Sequence, residues 1–184
     1  MATQTLSRSL HDVGLAAWFG GTLANAVALN PASATASADH ESGRVANTGW
    51  DRWTPVNAAA IGAHLVGSLG QLAGNSERVK AQQGVATMSL VKTALTAAAL
   101  GVTGYSRLLG RKVSEHRDVP VSSATEPTHG TPREVAQAQA RLKTLQWAVP
   151  ALTGALVVVS AYAGEQQRAS AVQKGIAARL TPGL

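Results

Sequence analysis

Three long stretches of this sequence contain no charged residue. They cover residues 13–38, 53–76 and 144–164, and a shorter charge-free stretch covers residues 93–106. The hydrocarbon core of a bilayer is about 30 Å thick, and about 20 apolar residues in a helix cross it. The long stretches match that length. The sequence therefore predicts an all-α integral membrane bundle of about four transmembrane helices, placed in the cell membrane as a multi-pass protein.

The chain is expected to divide into three regions. Residues 1–112 form a three-span membrane region, residues 113–131 form a flexible linker, and residues 132–184 form one long helix. The linker is predicted to lack a core because it is rich in proline, serine and glycine, which interrupt regular structure. The long helix carries the fourth span and a polar C-terminal tail, so it extends beyond the bilayer at both ends.

Capping residues set the expected limits of the first two spans. The first span covers residues 10–29 and begins after Ser9, a residue type that caps helix N-termini. A polar loop over residues 31–53 follows it. The second span covers residues 55–74 and begins where Thr54 precedes a proline, a combination typical of a helix start.

The N-terminal segment has a second interpretation. Arg8, an apolar stretch and the sequence Ala34-Thr35-Ala36 together have the pattern of a signal peptide with its cleavage site. Residues 1–38 are then either a removed signal or, as we expect, a retained first span.

Composition narrows the choice of partners. Charged residues make up 14% of the chain, against about 25% in soluble proteins, and the net charge is +6. The basic residues flank the apolar runs, at Arg107, Arg111, Lys112, Arg141 and Lys143. This placement is typical of contact with anionic lipids and argues against nucleic-acid binding. The absence of cysteine excludes disulfides and thiol chemistry.

Four residues are predicted to lie at the membrane interface, namely Trp50, Trp53, Trp147 and Lys92. Tryptophan favours the interface because its ring is half buried there while its N–H stays hydrated. Lys92 interrupts the third span, residues 85–109, and a long basic side chain near the end of a span can reach the headgroups. The alternatives are ordinary packing for the tryptophans and a buried polar site for Lys92.

Small residues are predicted to mediate helix packing. Gly67, Gly70 and Gly74 recur along the second span, and Ala97 and Gly101 form a pair spaced by four in the third. Small side chains let helix backbones approach closely, which matters in lipid because packing must replace the hydrophobic driving force.

His64 and His11 are the candidate cofactor-binding residues, since an ionisable side chain inside a span is costly and is often functional. If the first span begins at residue 10 and the second ends at residue 74, the two histidines differ in height by about 10–15 Å. One haem iron then does not bind both. The interpretations left open are a single haem ligand, a hydrogen bond to a quinone, and a neutral histidine between helices.

One segment resembles a known family. The sequence from His11 to Gly21, HDVGLAAWFGG, is similar to the first helix of small bacterial membrane proteins of the copper-resistance D type. The resemblance covers this helix and implies a polytopic membrane fold. Methionine occurs only at Met1 and Met88, so the chain lacks the several methionines that would suit copper binding.

The sequence predicts a non-enzymatic accessory or scaffold subunit of a larger membrane complex. No catalytic residue set, metal site or resident cofactor is predicted, and the expected partners are other membrane subunits or further copies of the chain. Two alternatives stay open. One is a redox protein that holds haem or quinone near His64, and the other is a small-solute or ion transporter that uses Asn25, Lys92 and Gln71.

Overall fold

The computed structural model describes residues 2–36, 38–77, 84–116, 119–165 and 173. Helix α1 (Ala2–Ala24) continues through a π-helical turn (Asn25–Leu29) into the short helix α2 (Asn30–Ser33). Three long helices follow in chain order, namely α3 (Asp39–Gly74), α4 (Val85–Ser114) and α5 (Arg133–Glu165). The predicted all-α class is confirmed.

The long helices form a bundle from two antiparallel pairs. Helix α1 packs along α3, α4 packs along α5, and α1 also contacts α5. Helices α3 and α4 touch only sparsely, so the seam between them is the open side of the bundle. A small apolar core at mid-height joins the pairs through four buried residues, Trp18, Ala60, Ala99 and Val149.

Within the described residues, three helical segments are long and apolar enough to cross a membrane, namely Gln4–Ser33, Val85–Ser114 and Arg133–Glu165. Large apolar side chains on their outer faces are exposed, including Val13, Leu90 and Val158. The predicted second span, residues 55–74, is not among the segments that meet this measure in the described part of the chain. Its glycines and its polar residues, such as His64, lower the mean hydropathy.

The predicted limits of the first span were wrong. Helix α1 begins at Ala2, and Ser9 lies inside it rather than capping it. The pair Asn30–Pro31 does not end the helix, because the π-helical turn carries the chain into one more helical turn before Ala34. The Ser33 hydroxyl donates to the Asn30 carbonyl at 2.7 Å and closes that turn.

The polar loop predicted for residues 31–53 was also wrong over most of its length. Helix α3 begins at Asp39, where two acidic residues in the first turn suit the positive end of the helix dipole. It then continues through Pro55. The Thr54 hydroxyl does not cap a new helix but donates back to the Trp50 carbonyl at 2.7 Å. Packing of α3 along α1 outweighs the local tendency of Pro55 to begin or break a helix.

Glycines set the distance between α1 and α3. Gly67 lies directly against the backbone of Ser7 and His11, and Gly14 lies directly against the backbone of Ala60 and His64. Any side chain at Gly67 or Gly14 would collide with main-chain atoms, which cannot move aside as a flexible side chain can. The two backbones therefore approach as closely as glycine allows.

The other small residues differ in their surroundings. Gly70 faces Ser7, and Gly74 faces the side chain of Gln4, so all three predicted glycines of α3 lie on the α1 face. Ala97 and Gly101 lie on the exposed face of α4 instead. No atom of the described chain lies within 4 Å of the position that a Cβ of Gly101 would take.

The described part of the predicted linker, residues 113–116 and 119–131, includes the end of α4 and an irregular segment packed on the bundle. Val121, Ser123 and Thr125 are buried. The Ala124 N–H donates to the Ser33 hydroxyl oxygen at 3.0 Å, and the Gln139 amide donates to the Ser123 carbonyl at 3.0 Å. The predicted C-terminal tail beyond residue 165 lies outside the described residues, apart from residue 173.

The Gly67 contact predicts the effect of a single methyl group. Gly67→Ala is expected to lower the stability of the bundle by about 1–3 kcal/mol, because the added Cβ meets the α1 backbone. Gly62→Ala on the same helix is the matched control. No described atom lies within 4 Å of its Cβ position, so only the higher helix propensity of alanine acts there. Thermal unfolding in detergent gives the unfolding midpoint of both variants. Equal midpoints would contradict the close contact between Gly67 and the α1 backbone.

Candidate functional site

Two histidines stack against each other between α1 and α3. The rings of His11 and His64 have centroids 4.6 Å apart and planes inclined by 46°. Both residues are buried, with 1% and 0% of their surface exposed. The Trp18 ring lies on the far side of His64, with centroids 6.0 Å apart. The two candidate cofactor-binding residues thus belong to one buried cluster.

The predicted height difference between these histidines was wrong. It assumed a first helix that begins at residue 10, whereas α1 begins eight residues earlier. The antiparallel register set by Gly67 and Gly14 then brings His11 and His64 to the same level. The sequence prediction placed both histidines inside spans but assumed the wrong register.

Hydrogen bonds define the tautomers of both rings. The Nδ1–H of His11 donates to the Asp12 carboxylate at 2.7 Å, because a carboxylate only accepts. The Nδ1 of His64 lies 3.4 Å from the His11 carbonyl, and its Nε2 lies 3.4 Å from the Thr96 hydroxyl. Neutral His64 therefore donates through Nδ1 and accepts from Thr96 through Nε2, both over long distances.

The direct contact of the rings bears on the haem interpretation. A haem held by two histidines lies between their rings, and rings 4.6 Å apart leave no room for a macrocycle. Among the described residues, no three or more His, Asp or Glu side chains gather as a metal site. The geometry fits hydrogen bonding between helices better than axial ligation of a haem by both residues.

A polar cavity of about 240 Å³ adjoins His11 at the end of the bundle where α1 begins. We call it the basic cavity, and its polar lining consists of Arg8, His11, Asp12, Gln71, Lys92 and Ser160. All four long helices contribute to this lining. It contains two cations and one carboxylate, so one positive charge is in excess. Arg8 lies 3.9 Å from Asp12, whereas Lys92 forms no ion pair within the described residues.

Three buried polar atoms on this lining have no hydrogen-bond partner in the described chain. They are His11 Nε2, the Gln71 amide nitrogen and the Ser160 hydroxyl oxygen. A buried polar group without a partner is costly, so such atoms mark positions for water or a ligand. Lys92 and Gln71, two residues of the predicted transporter alternative, meet here, whereas Asn25 lines neither this cavity nor the one described next.

A larger cavity of about 380 Å³ lies towards the other end of the bundle, between α3, α4 and α5. We call it the apolar cavity. Trp50 and Trp53, predicted at the membrane interface, line it together with Asn57. Trp50 also donates to the Asn30 side-chain oxygen at 3.0 Å, and the Trp53 ring packs on Gly21. Trp147 is 49% exposed on the outside of α5.

Several functional candidates were not singled out from the sequence. Thr96 and Ser160 lie inside apolar runs, where an isolated hydroxyl carries no distinctive pattern. Arg8 and Asp12 are spaced by four, which places them on one helix face, but this signal appears only if the helix is taken to begin before residue 8.

No protein-family model matches this chain, and neither a curated protein nor a solved structure shows significant similarity to it. The resemblance of the segment from His11 to Gly21 to the copper-resistance D type stays a prediction.

The hydrogen bond between His64 and Thr96 predicts a small coupling between α3 and α4. Thr96→Val keeps the shape of the side chain but removes the hydroxyl, and we expect a loss of about 0.5–1 kcal/mol. Thr93→Val is the control, because the Thr93 hydroxyl is exposed and bonds within its own helix at 2.9 Å. Thermal unfolding gives the stabilities, and ¹⁵N spectra of labelled histidine report whether the His64 ring responds to Thr96→Val alone.

Proposed function

We propose that this protein is a small-solute transporter of the membrane whose solute is a small oxyanion bound in the basic cavity. The observation that carries the proposal is Lys92, a half-buried cation that forms no ion pair with any described residue, in a cavity where three polar atoms have no partner in the described chain. Lysine inside an apolar helix is unfavourable unless a counter-charge or water accompanies it. An anion beside Lys92 would supply that counter-charge.

The unpartnered atoms indicate the chemistry of the anion. The ammonium of Lys92, the amide of Gln71 and the hydroxyl of Ser160 are donors, which suit negatively charged oxygens. His11 differs from them. Its Nδ1 carries the proton that Asp12 accepts, so neutral His11 presents a lone pair at the unpartnered Nε2. A ligand that also brings a hydroxyl group satisfies this acceptor, which favours an oxyanion with an O–H, such as a short hydroxy acid.

The apolar core separates the basic cavity from the other end of the bundle. The basic cavity lies at one end and the apolar cavity extends from the other, with the core of Trp18, Ala60, Ala99 and Val149 between them. Transport of the solute requires this core to open, which is the kind of change that a small helix movement produces. His64 links this core to the basic cavity, because its ring lies against Trp18 of the core and against His11 of the cavity lining.

A second candidate function is the accessory or scaffold subunit predicted from the sequence. The observation that favours it is the outer face of α4, where Ala97 and Gly101 are exposed and no described atom lies near Gly101. Small residues on a lipid-facing helix suit close packing by a helix of another subunit.

The anion proposal predicts a preference between two probes that differ by one hydroxyl. Glycolate is expected to bind the purified protein about tenfold more tightly than acetate, because its hydroxyl donates to buried His11 Nε2. Lys92→Met is expected to abolish binding of both. Lys143→Met is the matched control, because Lys143 pairs with Glu126 at 2.6 Å and lines neither cavity.

Isothermal titration in nanodiscs measures this binding, and uptake of labelled glycolate into proteoliposomes tests transport. Equal affinities for the two probes would remove the assignment of His11 as an acceptor. Unchanged binding in Lys92→Met would refute the anion site, and binding without uptake would refute the transport step.

The accessory function predicts that the α4 face is needed for assembly. Gly101→Leu is expected to reduce the mass of the complex extracted in mild detergent, because the larger side chain keeps a partner helix at a distance. Gly62→Leu is the control on the exposed side of α3, where the Cβ also has free space. Native mass spectrometry compares the two, and an unchanged assembly in both variants counts against this function.

A further inference from the structure

We propose that the apolar cavity is a second binding site, which takes the hydroxyl-bearing head of a neutral amphiphile from the bilayer. This inference concerns different residues from the anion site and does not depend on it. The cavity holds about 380 Å³, most of its wall is apolar, and two tryptophan rings form part of that wall. Such a wall suits the apolar part of the ligand that adjoins this head.

Five buried polar atoms on this wall have no partner within the described residues. They are Trp53 Nε1, Asn57 Oδ1, Thr103 Oγ1, Ser106 Oγ and Gln139 Oε1. They belong to residues of α3, α4 and α5 that all line this one space. This concentration in a single cavity indicates a site rather than scattered defects of packing, because native proteins leave few buried polar groups unpaired.

Gln139 gives the clearest evidence that the ligand must supply a hydrogen-bond donor. Its side chain is 0% exposed, and its amide nitrogen donates to the Ser123 carbonyl at 3.0 Å. This bond fixes the orientation of the amide, so the unpartnered Oε1 of this lining residue is an acceptor that needs a donor. Asn57 Oδ1 adds a second acceptor, whereas Trp53 Nε1 is a donor only.

The ligand must therefore present hydroxyl groups. A carboxylate or a phosphodiester offers acceptors alone and leaves Gln139 and Asn57 unsatisfied. Each hydroxyl donates one hydrogen bond and can accept others, so two hydroxyls serve the acceptors of Gln139 and Asn57 and the donor of Trp53. Among the described lining residues the charged one is Arg107, which is exposed, so the buried wall provides no counter-charge for an ionised head.

The position of the cavity favours access from the bilayer. Helices α3 and α4, which form two of its walls, touch only sparsely, so the seam between them leads sideways out of the bundle. The end towards the connecting segment is covered, because Val121, Ser123 and Thr125 of that segment are buried and line the cavity or lie beside it. A molecule dissolved in lipid reaches such a space more readily than one dissolved in water.

The experiment compares two probes with the same acyl chain. Monoolein carries two free hydroxyls, whereas methyl oleate carries acceptors only. Native mass spectrometry of the full-length protein in detergent is expected to show one bound monoolein, with an affinity at least tenfold above that of methyl oleate. Gln139→Leu and Asn57→Leu are each expected to weaken monoolein binding about five- to tenfold. Gln71→Leu, at the basic cavity, is the matched control, and we expect it to leave monoolein binding unchanged.

A second variant tests whether monoolein occupies the apolar cavity. Gly104 lines the cavity, and no described atom lies within 4 Å of its Cβ position, so Gly104→Leu fills volume without a backbone collision. We expect this variant to fold with unchanged or raised thermal stability and to lose monoolein binding by tenfold or more.

Equal binding of the two probes would overturn the proposal, because the cavity would then be an apolar groove without recognition of hydroxyls. Full monoolein binding in Gly104→Leu would also overturn it, since the ligand would lie elsewhere. Glycolate binding in these same variants reports on the basic cavity, so a failure of this inference is distinguishable from a failure of the anion site.

Discussion

The close approach of α1 and α3 determines the rest of this structure. Gly67 and Gly14 allow the two backbones to touch, and that contact fixes an antiparallel register along the whole pair. The register brings His11 beside His64 and sets Gly21 opposite Trp53. A bulkier residue at either glycine would separate the helices and would disturb the histidine cluster and both cavities at once.

The unpartnered polar atoms of the bundle are not evenly spread. Of the nine buried side-chain atoms without a partner in the described chain, five line the apolar cavity and three line the basic cavity. In a low-dielectric interior each such atom is unfavourable, and their concentration around two spaces is the observation on which both proposed sites rest. The remaining atom, Trp18 Nε1, belongs to the core between them.

The two sites differ in charge and in surroundings, and this difference separates their proposed ligands. The basic cavity has an excess positive charge and polar contributions from every long helix, which suits a small charged solute. The apolar cavity has tryptophans, aliphatic walls and a lateral seam, which suits a molecule from the lipid phase. A membrane protein with both sites would respond to its lipid environment as well as to its solute, since the same α3, α4 and α5 form parts of each.

The sequence by itself determined the all-α class and the presence of helices long and apolar enough to cross a membrane, and it singled out residues of interest, because charge-free length, small residues and ionisable residues in apolar runs are local properties. His11, His64, Lys92 and Gln71 were identified in this way. It did not determine where α1 and α3 begin, since Ser9, Thr54 and Pro55 gave local signals that packing between helices overrode. Only the tertiary structure decided the register and the cavities, because both depend on backbone contacts between residues far apart in the chain.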